Sequence, residues 1–535
     1  MRTRPHHRAP AALALLLACG PAEAPAPAPV VAEAVVAAPV TAEVAPVPAS
    51  PPTRRVAYHL EDLGGELSAV TELDLAFSAT DRLERRAELD DARSYENACD
   101  GLDLTQLAAR APRLRELRVS GCQVAVQVGL GAFAGLETLE LADLTLDGVT
   151  MGRITGLPQL RGLTLTRVKP GSEPVTVLGR LAIERLVLRE LDTDSPVAGV
   201  AAQAPMLREA ALEGAWAGHD AMLALGKASK LRELRLIDTR IGNFSLHQLK
   251  PLLELRSVTW QGSTFNDNSL LYVRELPIES FTCACPGLGD AGLKVLGRQL
   301  GLRELSLPQS RISGTGLALL GKLEKLTTVH IARRDPGFEG IAALVRLPGL
   351  RTLSLALPAP ATLTDPTLAP LGEAIGLRRL SLDIPTLDDR AAPQLATLVQ
   401  LEQLDLGGTQ ISDLGLKSLA ALTTLTELNL HHTRVTNRGL ASLAGLTRLR
   451  RLELDHTDLV DDGVAHLEQL VALQVLRLDK TLITDAALPH LLGMTELEQL
   501  NLADTVVTAE GVAVLRKLPA LRVVNLARTR AEAGR

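Results

Sequence analysis

The side chains best suited to chemistry lie near one another in the last quarter of this 535-residue chain: His431, His432 and His456, with Asp455 and Asp479. Imidazole nitrogens and carboxylate oxygens are ordinary ligands of zinc. A histidine beside a carboxylate is also the raw material of acid–base catalysis. Position 432 precedes 456 by 24 residues, and 455 precedes 479 by the same 24. A spacing shared by unlike side chains belongs to the framework that carries them. No G-x-S-x-G, P-loop or HExxH pattern is present to point to a reaction class. The five cysteines, Cys19, Cys99, Cys122, Cys283 and Cys285, are too few for a disulfide scaffold. The pair in FTCACPG has no second pair to complete a zinc motif, and Cys283 takes a core leucine's place.

The framework is a repeat. LEQLDLGGTQISDLGLKSLAALTT, beginning at Leu401, is followed directly by LTELNLHHTRVTNRGLASLAGLTR, beginning at Leu425. The first apolar position recurs from Leu114 to Leu521, giving 18 starts, and thirteen of the 17 gaps are 24 residues. The remainder are 22, 23, 23 and 27. Hydrophobic residues make up 46% of the chain and aromatics only 2%, so leucine fills the core. A formal charge of −6 leaves no electrostatic footprint for nucleic acid.

Each unit has the same internal logic. In the unit at Leu401, Leu404 and Leu406 alternate and share one face of a strand. Leu416, Leu419 and Leu422 then fall three apart, on one face of a short helix or 3₁₀ segment. Asp413 precedes that segment and reads as its N-cap. Asn243, Asp267, Asp290, Asp389, Asn437, Asp461 and Asp485 hold the same place. One unit buries too little apolar surface to stand alone and must stack on its neighbours.

The pattern LxxLxLxxT-x-[IV]-x-[DN]-x-G-L resembles the leucine-rich repeat family, in a short form similar to its ribonuclease-inhibitor and cysteine-containing subtypes. The resemblance implies an α/β solenoid, a curved horseshoe with a parallel β-sheet on its concave face and short helices on its convex face. It also implies an inward polar residue where each strand ends. Thr239, Thr409, Thr433, Thr457, Thr481, Thr505 and Thr529 hold that place. Their hydroxyls are expected to satisfy buried backbone groups. This ladder breaks at Arg334, Pro358 and Pro385, beside the 27-residue gap, so residues 330–390 are expected to be irregular.

Residues alternating with the strand leucines should face the concave wall, with like positions of adjacent units about 4.8 Å apart. In five consecutive units they include Gln403, Asp405, Glu427, Asn429, His431, His432, Arg451, Glu453, Asp455, His456, Arg477, Asp479, Lys480, Gln499, Asn501 and Asp504. On this reading His432 sits beside His456, and Asp455 beside Asp479. An open wall perturbs pKa values little, and catalysis wants a cleft. The favoured reading is a surface for a protein partner, as the family resemblance implies, with no enzyme activity, cofactor, metal or small-molecule substrate expected. Few aromatics means few of the usual hot spots. Trp260 falls on a strand core position.

The N-terminus reads as an address. MRTRPHHR is basic, residues 11–18 are an apolar run too short to span a bilayer, and Cys19 follows in LLAC. This resembles the bacterial lipobox, which implies cleavage before Cys19 and its acylation. Two or three acyl chains anchor stably. Ordinary cleavage after Ala24 would place Pro25 next to the cut, which is unfavourable. Residues 1–18 are thus the lipoprotein signal, and residues 19–54, rich in Pro and Ala, a tether. Residues 55–113 are an N-terminal cap with one repeat-like strand in AVTELDLAF, and residues 114–535 the array. Gly20 after the cysteine favours the outer membrane by resemblance. A Cys99–Cys122 disulfide is disfavoured if Cys122 points inward. The sequence ends in the strand of its last unit, so the final units are expected to fray or meet a partner. The expectation is an exported, lipid-anchored envelope protein whose task is binding; a structural or adhesion protein, and the targeting module of an effector, are the alternatives.

Overall fold

The computed structural model describes residues 53–57, 67–76, 102–170, 181–191, 206–332, 337–357 and 368–531. Cys19, the signal and almost all of the tether lie outside the described residues, as does Cys99.

The leucine spacing dictates the architecture. Eighteen strands, one for each of the 18 starts, run from Glu116–Ser120 to Val523–Asn525. Two more precede them, Thr53–Ala57 and Val70–Ala76, in a parallel sheet of 20 strands. Each strand pairs with the next in the chain, and like positions align: Leu404 with Leu428, Leu428 with Leu452, Leu452 with Leu476. Parallel neighbours need a crossover, and where it is described the crossover carries a helical turn of the repeat, such as Asp413–Leu419 or Asp461–Ala465. Among the described residues no helix is long and apolar enough to cross a membrane.

The core is one continuous file of leucines between strands and helical segments. Leu401, Leu404, Leu406, Ile411, Leu416, Leu419 and Leu422, one repeat's whole apolar set, are all at most 2% exposed. Trp260 occupies a core strand position as expected, stacked on Phe265 at 5.1 Å and edge-on to Phe281 at 5.4 Å.

Three readings need correction. The strand Thr53–Ala57 crosses the expected tether–cap boundary at residue 54, and pairs in parallel with Val70–Ala76. The strands are regular where irregularity was expected: Thr328–Ala332, Thr352–Ala356 and Arg379–Asp383 pair in unbroken register, while Arg334 and Pro358 lie outside the described residues. The extra residues of the 27-residue gap therefore fall between Ala356 and Arg379. The third concerns the cysteines: Cys283 and Cys285, whose pairing the sequence leaves open, form a disulfide, with Cα atoms 5.2 Å apart. Residues i and i+2 of a strand share a face, so both sulfurs point into the core. Cys122 is only 1% exposed, the inward position taken to disfavour a bridge, and is itself disulfide-bonded.

Candidate functional site

Three ladders of polar groups position the site, and each runs at a fixed point of the repeat. The first is the threonine row. Thr409, Thr433, Thr457, Thr481 and Thr505 are buried, and each hydroxyl donates to the carbonyl three residues back, at 2.5–2.7 Å. This closes the turn that ends each strand and leaves no buried hydroxyl orphaned in that run.

The second ladder corrects the N-cap assignment. Ser412, not Asp413, caps the helix, its hydroxyl accepting from the Leu414 amide. Asp413 is one position further on, and its carboxylate leaves the helix to grip the next repeat. Oδ1 accepts from the Thr436 amide and Oδ2 from the Thr436 hydroxyl, both at 2.7 Å. Asp389 does the same to Ser412, Asp461 to Thr484 and Asp485 to Thr508. Asn437 faces Val460, which has no hydroxyl, and accepts from its amide alone at 3.0 Å. The glycine of the D-x-G signature follows from this clamp. A Cβ on Gly439 would strike Asp413 Oδ1, so only glycine admits the carboxylate of the preceding unit.

The third ladder is a left-handed turn after the strand. His432, His456, Lys480, Asp504 and Arg528 have φ between +50° and +56°, and Gly408 stands in the same place at +72°. The His432 amide donates to Asp455 O and the His456 amide to Asp479 O, so the ladder of backbone bonds runs beyond the strands. Non-glycine residues pay roughly 1–2 kcal/mol for this conformation. The five side chains therefore stand on the rim of the sheet rather than on its wall.

The remaining expected residues lie where the register puts them. Gln403 and Asp405, Glu427 and Asn429, Arg451 and Glu453, Arg477, and Gln499 and Asn501 alternate with buried leucines on five adjacent strands. Gln403 donates to Glu427 at 2.7 Å across one strand gap. His431 follows its strand, its amide held by Asn429 Oδ1 at 3.0 Å. Asp455 and Asp479 were expected to be exposed; they are 4% and 7% exposed. Arg477 covers them, with Nε 3.6 Å from Asp455 Oδ1 and 3.5 Å from Asp479 Oδ1, while Nη1 lies 3.5 Å from Glu453. Desolvation opposes the charge on Arg477, but Asp455, Asp479 and Glu453 together hold its pKa above the ordinary value. On the rim, the hydrogen bond from Arg528 holds the Asp504 carboxyl below its ordinary value, with Lys480 and His456 adding smaller charge effects. His432 and His456 do meet, with ring centroids 6.0 Å apart and planes at 75°.

A depression of about 440 Å³ opens on the strand face beside this cluster and spans six strands. Its floor joins the expected Gln403, Asp405, Glu427, Asn429, Arg451 and Glu453 to His330, Thr352, Ser354, Arg379 and Ser381, which were not singled out. The alternation TLSLA and RLSLD at 352–356 and 379–383 carried the signal. The broken threonine row hid it. Desolvation by the wall lowers the His330 pKa, partly offset by the charge of Glu304.

The Leucine Rich repeat family model matches residues 400–420 and 421–444. None of the curated proteins compared with the chain matches it. Among solved structures, TLR13 in its complex with ssRNA13 is similar at 19% identity and a TM-score of 0.50, over 79% of this chain and 62% of that one. An internalin of Listeria monocytogenes is similar at 17% identity and a TM-score of 0.40, over 57% and 83%. A leucine-rich-repeat protein of Leptospira interrogans is similar at 16% and 0.40, over 74% and 91%. With its open parallel sheet, short helical segments between the described strands and the family's own pattern at 400–444, the chain folds as an α/β leucine-rich-repeat solenoid.

Proposed function

We propose that this protein is a non-catalytic scaffold that binds a protein partner on the concave strand face, across strands Gln403–Asp405 to Gln499–Asn501. The observation that carries this reading is the register: polar side chains of five strands stand side by side on a rigid sheet, next to an open depression. Repeat solenoids use such extended concave faces for binding. With Asp455 and Asp479 buried under Arg477, the charges left on the wall are Asp405, Glu427 and Glu453 against Arg451 and Arg477, so the face is of mixed sign and suits a partner of complementary pattern. The RNA in the TLR13 structure belongs to that protein. Here a net charge of −6 and 2% aromatics speak against nucleic acid.

The N-terminal sequence supports export and anchoring through a lipid on Cys19, with the array held off an outer membrane by the tether. Pull-down of the soluble Cys19→Ala form from its own cells tests both parts. A stoichiometric partner that is lost on charge reversal at Glu427 and Glu453 supports binding at this face. Absence of any such partner favours a structural or adhesive role. Intact mass of the N-terminal peptide decides the anchor: an unmodified residue 19, or a start at residue 25, rejects it.

A further inference from the structure

We propose that Asp455, His456 and Asp479, joined by His432 of the preceding repeat, form a binding site for one divalent transition-metal ion. One donor atom from each of the first three lies within 4.8 Å of the others. His456 Nδ1 stands 3.2 Å from Asp455 Oδ2. Asp455 is 96% buried by its 4% exposure, yet its Oδ1 accepts no hydrogen bond; the nearby cation is Arg477, at 3.6 Å. A buried carboxylate oxygen without a donor is costly, and a metal ion would satisfy it.

The donor set selects the class of ion. Two imidazoles and two carboxylates suit zinc, cobalt or nickel, whereas calcium takes six to eight oxygens. Two imidazoles on one zinc place their ring centroids roughly 5 Å apart, given Zn–N bonds of about 2 Å. The 6.0 Å between His432 and His456 is near that, and both rings stand on the exposed rim, free to close. Tetrahedral donors sit roughly 3.3 Å apart at these bond lengths, so a cluster spread over up to 4.8 Å must contract by as much as about 1.5 Å. Asn501 donates to Asp479 Oδ1 at 2.5 Å and orients that carboxylate, as outer partners do around bound metals. Arg477 is the competitor: its charge lies between the two aspartates, and its side chain, 40% exposed, has water to turn into.

The test titrates the full chain with Co²⁺ and follows its visible d–d absorption, with Zn²⁺ calorimetry alongside. The expected result is one saturable equivalent with a tetrahedral-type band. His456→Asn keeps a residue that tolerates positive φ but changes the ligand, and Asp479→Asn keeps the shape without the charge. Each should weaken Co²⁺ affinity tenfold or more, while Arg477→Gln should strengthen it severalfold. Far-UV circular dichroism confirms that each variant is folded. No saturable band overturns the proposal. So does a band of equal affinity in both asparagine variants, which would assign the ion elsewhere, for instance to His6 and His7.

Discussion

Removing the Asp413 carboxylate should loosen the junction between two repeats and leave the rest of the array alone. In Asp413→Ala the Thr436 amide and hydroxyl each lose an acceptor at 2.7 Å. Hydrogen bonds to charged groups are worth about 1.5–3 kcal/mol each. Asp413 is half-buried, so water replaces part of both, and a net loss of about 2 kcal/mol is expected for the pair. That is roughly a 30-fold change in the local opening equilibrium. Native-state hydrogen exchange at the Thr436 amide reads it directly, because solenoid repeats open locally and a single global midpoint would dilute the effect. The Asn437–Val460 junction supplies a control built into the sequence. Asp413→Asn with Thr436→Val reproduces its chemistry, and should cost less than the sum of the two single changes by about 1 kcal/mol, the scale seen for residues in contact. Exchange at Thr436 that stays within twofold of wild type in a folded Asp413→Ala protein would refute the clamp.

Four further outcomes follow from the same ladders. Gly439→Ala should destabilise by about 1–3 kcal/mol, because its Cβ meets Asp413, whereas Gly445→Ala, with nothing near, should be neutral; urea midpoints compare them. Thr457→Ala should cost about 1 kcal/mol by the same assay, the worth of one hydrogen bond, here the 2.5 Å bond to Leu454 O. Lys480→Gly should stabilise the fold by roughly 0.5 kcal/mol, relief of its φ of +55° exceeding the entropy cost of glycine, and a raised melting temperature would show it. The Asp147 carboxyl is held below its ordinary value, chiefly by the Thr150 amide. A depressed folded pKa gives stability that is present above the unfolded value near 4 and lost as pH falls through the folded one. The stability gap between wild type and Asp147→Asn should therefore be widest at pH 7 and shrink below pH 4.

The framework was legible because its signal is periodic. Leu404, Leu406 and Leu416 return at fixed intervals, and burial follows leucine spacing with few exceptions. The threonine row was legible for the same reason from Thr409 onward, whereas Thr239 holds the same place with a buried hydroxyl that finds no partner among the described residues. What escaped depends on distances between units rather than order within one. Asp413 sits where an N-cap would, but the next unit's Thr436 lies within reach of its carboxylate, and Ser412 takes the cap. Asp455 and Asp479 alternate like exposed residues, yet the length of the Arg477 side chain covers both. The rim residues His432 and His456 were read as wall because a left-handed turn in a non-glycine residue has no compositional mark. The Cys283–Cys285 bridge was not legible because a spacing of two puts both sulfurs on one face of a strand whether or not a bond joins them.

The carboxylate grip is not spread evenly along the coil. Among the described residues Asp267 and Asp290 grip Gly289 and Ser313, and the row then runs unbroken through Asp389, Asp413, Asn437, Asp461 and Asp485, while Gly148 holds the same place near the other end. A load drawn along the axis would therefore meet junctions of unequal strength. Within the late block it would find one seam, at Val460, where a single bond does the holding that two do on either side.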